Sequence, residues 1–350
     1  MFDVGDADAI LVELQQEGKH LVVVVDGGRK GDYVRHMQKP LQEALFRANK
    51  EAPDIVVLTH YDADHILGVT ELVKEYGGKI GQLWAHSPPA DFDKKQPLLE
   101  KLSTGRPANY AEFSTITDRS AASRYLHFED LQQAAGVLLE SLTQLRDLEK
   151  LFPKKITPVF AGDHYAGWPI KVIGPKREYY DRLFSRRSST EGLLLTEAMN
   201  TPRMLRLTDD LDRIKALIEY KGSEDEVLSG CDKLDAVKDR SMSDTNLVSI
   251  IFSIKASKGT YLFTGDAGVP SLTGIDQSEI KDLYWLKVPH HGSERNLTCE
   301  LIDHMKPKYA DCSGGKDYLD QHVLDCIGNN PRSMQVRSTK AEGKLTMAIG

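Results

Sequence analysis

Leu58-Thr59-His60-Tyr61-Asp62-Ala63-Asp64-His65 decides how this 350-residue chain is read. Asp54 to Leu58 is a short, β-branched apolar run of the kind that forms a buried strand, and the chain turns polar from Thr59 onward. The loop that follows therefore carries His60, Asp62, Asp64 and His65 at a strand end. Imidazole suits zinc, manganese and iron, while carboxylate oxygen favours harder ions. The mixed set points to a pair of divalent cations, Zn²⁺ or Mn²⁺, rather than to a thiolate site. The bland alternative is a solvated polar loop, but such loops are built from Ser, Asn and Gly rather than from clustered ligands.

Upstream of this stretch, Ala9 to Leu14 and His20 to Val25 are apolar runs separated by a polar turn, a hairpin signal. Asp26-Gly27-Gly28 closes the second run with a carboxylate and a tight turn beneath a site. Tyr33 to Ala52 reads as helix. Downstream, residues 88–158 read as a helical insertion, in which Leu131, Ala135, Leu138, Leu142 and Leu145 recur at helical spacing. That stripe is either core or a partner surface. Ile170 to Ile173 is a strand, and residues 178–239 form a second, mostly helical insertion.

Leu247 to Ile254 and Thr260 to Phe263 are expected strands, the latter ending in Thr264-Gly265-Asp266. Leu283 to Val288 runs into Pro289-His290-His291-Gly292-Ser293. Three strand-end loops thus converge on one edge of a single α/β domain spanning residues 1–350.

A hydrophobic content of 40% is that of a soluble globular protein, and no apolar stretch approaches the roughly 18 residues needed to cross a bilayer. No secretion signal is evident, so the expected location is cytoplasmic. Cys231, Cys299, Cys312 and Cys326 lack CxxC spacing and are expected as reduced, structural thiols. A net charge of -7 gives no overall footprint for nucleic acid. A local basic rim of Arg182, Arg186, Arg187, Lys306 and Lys308 could still hold a polyanion, although each taken singly reads first as solvated charge.

Four blocks in order carry a family resemblance: Asp3-Val4-Gly5-Asp6-Ala7-Asp8-Ala9-Ile10, Thr59 to His65, Leu262-Phe263-Thr264-Gly265-Asp266, and Leu286-Lys287-Val288-Pro289-His290-His291-Gly292-Ser293. The set resembles the metallo-β-lactamase superfamily, and within it the metallo-hydrolase domain of ComEC-type DNA-uptake proteins. The resemblance implies a four-layer αββα sandwich, interrupted here by the helical insertions, with a binuclear site on one edge. Asp62 stands where the superfamily's common motif has its second histidine, as in the ComEC-like branch. Carried over, His60 and Asp62 hold a first ion, Asp64 and His65 a second, Asp266 bridges them, and His290 or His291 completes the second site.

The further histidine that many members supply to the first ion has no match, although His86, His127 and His164 fall in the relevant stretch. Asp244 lies where ComEC-like sequences carry Asn. Ser313-Gly314-Gly315 through His322 resembles the closing loop without its usual His-Pro pair.

The implied reaction is metal-assisted hydrolysis by a metal-bridged hydroxide, since paired cations lower the pKa of a bridging water toward about 7. Asp64 is the expected orienting group or general base, and His290, His291, Lys287 or His322 the expected donor to the leaving oxygen. The resemblance favours a phosphodiesterase or nuclease. Three alternatives remain open: a small-molecule hydrolase of a phosphoester, thioester or lactone, a binding module with a vestigial metal site, and a nuclease effector controlled by a protein partner docked on the insertions. The oligomeric state is not legible in the sequence.

Overall fold

The apolar runs near the start pair as an antiparallel hairpin, Ile10–Gln16 (β1) with Lys19–Val25 (β2), turning through Glu17 and Gly18 in left-handed conformations. Val22 and Val24 face one side of β2 while Leu21, Val23 and Val25 face the other, and all five are buried. An unbroken apolar strand of this kind belongs to a sheet covered on both faces. The computed structural model from which this follows describes residues 1–87, 92–104, 128–186, 194, 198, 201, 204, 230–237, 242–315 and 319–349.

Helix α1 (Gln38–Ala48) follows a wide helical turn at Tyr33–Met37 and ends where Asn49 adopts a left-handed conformation, short of the expected Ala52. Strand β3 (Ile55–Val57) adds in parallel to β2. Helix α2 (Ala63–Tyr76) crosses to β4 (Gln82–Trp84), completing a four-stranded sheet in the order β1-β2-β3-β4. Two further helices, α3 (Phe92–Ser103) and α4 (Phe128–Leu151), pack against each other over α2.

The Leu131 to Leu145 stripe lies on α4. Leu131, Ala135, Leu138, Leu142 and Leu145 are buried in one cluster with Ile66, Val69, Leu72 and Val73 of α2 and with Val22, Val24 and Val56. The face considered as a partner surface is therefore core. Periodicity alone could not decide this, because the apolar face that covers it belongs to α2.

The second sheet has the order β10-β9-β8-β7-β6-β5, formed by β5 (Ile170–Gly174), β6 (Ile251–Ala256), β7 (Gly259–Phe263), β8 (Trp285–Lys287), β9 (Tyr309–Cys312) and β10 (Gln335–Ser338). β5, β6 and β7 pair antiparallel, and β7 through β10 pair parallel. β6 starts later than expected. Asp244–Leu247 forms a helical turn instead, capped by Ser243, whose hydroxyl accepts the Asn246 N–H at 3.1 Å. Helix α5 (Arg177–Arg186) follows β5 and sets Tyr180 against His86 and Phe160, while the outer face of this sheet is covered by α6 (Gly230–Asp235), α7 (Val269–Thr273), α8 (Cys299–Met305) and α9 (Gln321–Gly328), whose Leu234, Leu272, Leu301 and Ile327 share a core with Ile251, Leu262, Leu286 and Ala310.

Three hydrophobic cores make the layers explicit. One joins the first sheet to α1, α2 and α4, and another joins the second sheet to its helices. Between the sheets, Val23, Val25, Ile55 and Val57 meet Val172, Phe252, Ile254, Tyr261 and Phe263. The result is a four-layer αββα sandwich. Residues 88–91, 105–127 and most of 187–229, the bulk of the two expected insertions, lie outside the described residues. Among the described residues, no helix is long and apolar enough to cross a membrane.

Cys231 and Cys326 form a disulfide, which corrects the expectation of four reduced thiols; Cys299 and the buried Cys312 are free. The partners are 95 residues apart in sequence, so no local spacing announces them. They meet because Gly230 lets its backbone lie against α9. A Cβ there would stand 2.7 Å from the His322 carbonyl oxygen and 3.0 Å from the Cys326 nitrogen.

Candidate metal centre

The sheet topology explains why distant residues gather at one edge. β2, β3, β7, β8 and β9 end there, so the segments after them deliver Asp26, His60, Asp266, His290 and His291, and Ser313. β1 and β6 run the opposite way, so the residues just before them, Asp8 and Ser249, reach the same edge. Asp62 caps the backbone of α2, whose first turn supplies Asp64 and His65. Asp26, His290 and His291 are non-glycine residues with φ of 55°, 46° and 54°. Such left-handed conformations cost energy and persist where surrounding contacts fix them, as at functional sites.

Asp266 Oδ2 is the focus. His65 Nε2 and His291 Nε2 each lie 3.4 Å from it, His290 Nε2 3.7 Å and His60 Nε2 3.9 Å. Asp64 Oδ2 is 3.3 Å from His291 Nε2 and 3.9 Å from His65 Nε2, while Asp62 Oδ2 is 3.5 Å from His60 Nε2. His60, His65 and Asp266 form one group with metal-ligand spacing, and Asp64, His65 and His291 form a second that shares His65. Among the described residues, His60 Nε2, His65 Nε2 and Asp266 Oδ1 are buried with no hydrogen-bond partner. Buried polar atoms left in this way are costly unless another species satisfies them, and this donor set fits divalent cations.

The opposite nitrogen of every ring is tied down. His65 Nδ1 donates to Asp26 Oδ2 at 3.0 Å, His291 Nδ1 to the Ser313 carbonyl at 3.0 Å, and His290 Nδ1 to Asn296 Oδ1 at 3.1 Å. Thr59 Oγ1 donates to Asp26 Oδ2 at 2.7 Å, which leaves it to accept from His60 Nδ1 at 3.2 Å. With Nδ1 donating outward, each Nε2 is turned toward Asp266, the arrangement that outer partners impose on metal-binding histidines. Thr59, Ser249, Asn296 and Ser313 are the supporting residues that motif reading missed. Their signal is proximity to a strand end, which many Ser, Thr and Asn residues share.

A backbone seam sets the position of α2. Gly27 N donates to His65 O and Gly68 N to Gly28 O, each at 3.0 Å, and a Cβ on Gly68 would fall 1.8 Å from the Gly27 carbonyl oxygen. Glycine is required on both sides for this approach.

Electrostatics follow from the crowding. Burial alone would raise the Asp64 and Asp266 carboxyls, but the imidazoles of His65 and His291 outweigh it and hold both well below the usual carboxylate range. Burial likewise disfavours charge on His65 and His291, yet the surrounding carboxylates, Asp266 foremost, raise both, His291 to about 10. His290 moves the other way because burial prevails. A cluster that draws protons onto its imidazoles this strongly favours positive charge, and ion binding at Nε2 would release those protons.

Lys287 is 1% exposed in its side chain and lies between carboxylates: Nζ contacts Asp8 Oδ2, donates to the Gly265 carbonyl at 2.9 Å and stands 3.5 Å from Asp266 Oδ1. His322 pairs with Glu294 at 2.7 Å and not with the carboxylates of the cluster. His86 Nε2 bonds the Val159 carbonyl at 3.0 Å, and its ring stacks on Phe160, although it lines a small pocket with His60. His164 is exposed on the bridge to Lys171, and His127 lies outside the described residues. Asp244 is buried in the turn whose Thr245 hydroxyl donates to Asp62 Oδ2 at 3.3 Å.

The basic rim is corrected for Lys306 and Lys308. Both precede β9, at the end of the parallel strands opposite the cluster, and Lys308 lies over the Tyr284 and Tyr309 rings. Arg187 and the side chains of Arg182 and Arg186 lie outside the described residues.

No curated protein matches the chain. Residues 2–142, from the segment before β1 through most of α4, match the family model of the metallo-beta-lactamase superfamily, and the two-sheet sandwich with its edge cluster is the architecture of that fold.

Proposed function

We propose that the protein is a metal-dependent hydrolase that cleaves phosphodiesters, with nucleic acid as its substrate class. The reading rests on one observation: four imidazole Nε2 atoms converge on Asp266 Oδ2 within 3.9 Å, each from a ring whose Nδ1 is fixed by another acceptor. His60 and Asp62 would hold a first cation and Asp64, His65 and His291 a second, with Asp266 within reach of both sets. Zn²⁺ or Mn²⁺ bound there would supply Lewis acidity and make water acidic enough to ionise near neutral pH.

The chain's own residues divide the remaining work. Asp64, 21% exposed in its side chain, faces the approach of solvent and orients the attacking water. His290, 20% exposed and oriented by Asn296 through Nδ1, stands at the mouth, where its neutral Nε2 takes the proton of the attacking water and returns it to the leaving oxygen. His291, fully buried, is the ligand of the pair. Lys287 neutralises Asp8 and Asp266 from behind and positions the latter, and His322 at the start of α9 pairs with Glu294 of the His290 to Asn296 loop as a positioning pair. Asp62 in place of an imidazole adds a hard oxygen donor, which suits Mn²⁺ and phosphate oxygens and supports the phosphodiester reading, together with the ComEC-like pattern of the four sequence blocks.

The test has two parts. Elemental analysis of the purified protein reads bound metal, and metal-stripped protein reloaded with Mn²⁺ or Zn²⁺ is assayed on plasmid, single-stranded DNA, RNA, a small phosphodiester, a thioester and a lactone. Nucleic-acid cleavage that disappears in Asp64→Asn is the expected result. Turnover of the thioester or lactone alone overturns the substrate class, and turnover of none by fully loaded protein overturns the hydrolase.

A further inference from the structure

Three cysteines from three separate segments meet away from the His/Asp cluster. Cys231 opens α6, Cys299 opens α8 and Cys326 lies in α9, with their sulfurs all within 4.8 Å of one another. Two of them are bonded, and the thiol of Cys299 stands 3.6 Å from Cys326 Sγ. The surroundings are acidic. Asp235 Oδ1 accepts the Cys299 backbone N–H at 3.2 Å, and burial, with the charges of Asp235, Asp303 and Asp232, pushes the Cys299 thiol up to about 11.

Two chemistries compete for this geometry. In thiol–disulfide exchange, a Cys299 thiolate would attack Cys326 Sγ and release Cys231, but the neighbouring carboxylates oppose the negative charge that step requires. The same carboxylates favour a cation. Three sulfurs with an adjacent carboxylate form a donor set suited to a thiophilic, tetrahedral ion.

We propose that Cys231, Cys299 and Cys326 bind a thiophilic divalent cation such as Zn²⁺ when the disulfide is reduced, and that disulfide formation closes the site. A dithiol reductant gives two electrons and two protons to the Cys231–Cys326 bond and leaves as its own disulfide. The ion then displaces the thiol protons to solvent. The segments joined in this way flank the His290 to Asn296 loop and carry His322, so the ion fastens the part of the edge cluster that comes from the second sheet.

Cobalt titration tests the proposal. Full-length protein, stripped of metal and kept reduced with a phosphine, should develop thiolate-to-cobalt charge-transfer absorption, which the His/Asp cluster does not produce. The oxidised protein should lack it, Cys299→Ser should lower it by roughly a third, and Cys312→Ser should leave it unchanged. Absence of that absorption from the reduced wild type overturns the site, as does absorption lost in Cys312→Ser but kept in Cys299→Ser. Because a cysteine substitution can unfold the chain, alkylation of the unsubstituted reduced protein gives a second measure. Zn²⁺ should slow modification of Cys299 by at least roughly tenfold, and an unchanged rate overturns the proposal.

Discussion

The His/Asp cluster takes His60, Asp62, Asp64 and His65 from a single turn between β3 and α2, whereas the cysteine cluster draws one residue each from α6, α8 and α9. That contiguous half of the first has its geometry set by local backbone and is braced by Asp26 and Thr59, while Asp266, His290 and His291 join it from strand ends of the second sheet. The second exists only after distant helices have packed. The contrast teaches that contiguous ligands are positioned by secondary structure, and that dispersed ligands report on tertiary packing. The two clusters should therefore respond to different insults.

The largest difference should come from Asp266→Asn. Removing the charge on which four imidazoles converge should lower hydrolysis by roughly 10²–10³-fold or more and reduce bound metal in elemental analysis, with the thermal unfolding of the sandwich retained. Unchanged metal content would break the comparison at its first term.

Next is the disulfide. Its 95-residue separation predicts that reduction of metal-stripped protein lowers unfolding free energy by about 4.7 kcal/mol in urea titration. The His/Asp cluster should still take up its cations afterwards, and failure to do so would mean that the two clusters are one cooperative unit.

Asp26→Asn should be milder. It weakens the acceptor of His65 Nδ1 without touching a ligand atom, so metal affinity should fall about 10–100-fold by competitive chelator titration.

His86 sharpens the boundary between ligand and structural imidazole. Burial pushes it down to about 4, against the hydrogen bond to Val159 and with the help of Arg177. The folded state then binds fewer protons than the unfolded state between about pH 4 and the ordinary value of 6.5. Its contribution, at most about 3 kcal/mol, is complete above 6.5 and lost as pH falls through that window. His86→Gln should flatten the acid limb of the stability profile while leaving metal uptake unchanged. A loss of bound metal in this variant would instead make His86 a ligand.

Legibility in the sequence follows the same division. The hairpin, β3 and the edge loops were readable because apolar runs end abruptly in glycine, carboxylate or imidazole. The start of β6 is not legible because Leu247 to Ile254 is apolar except for Ser249 and Ser253, while the Ser243 cap that bends its first residues acts through one hydroxyl. The Leu131 to Leu145 stripe was readable as a helix but not as core, since burial is decided by α2. Lys287 was readable as a strand-end residue, whereas its enclosure between Asp8 and Asp266 joins segments from opposite ends of the chain. The disulfide had no local signal at all.

The Gly27–Gly68 seam limits how this edge can be retuned. Main chain rests directly on main chain there, so no side chain can yield to move α2 nearer to or farther from Asp26. An altered preference among ions of different radius must then come from exchanging donor types, as at Asp62, and not from sliding the helix that carries Asp64 and His65.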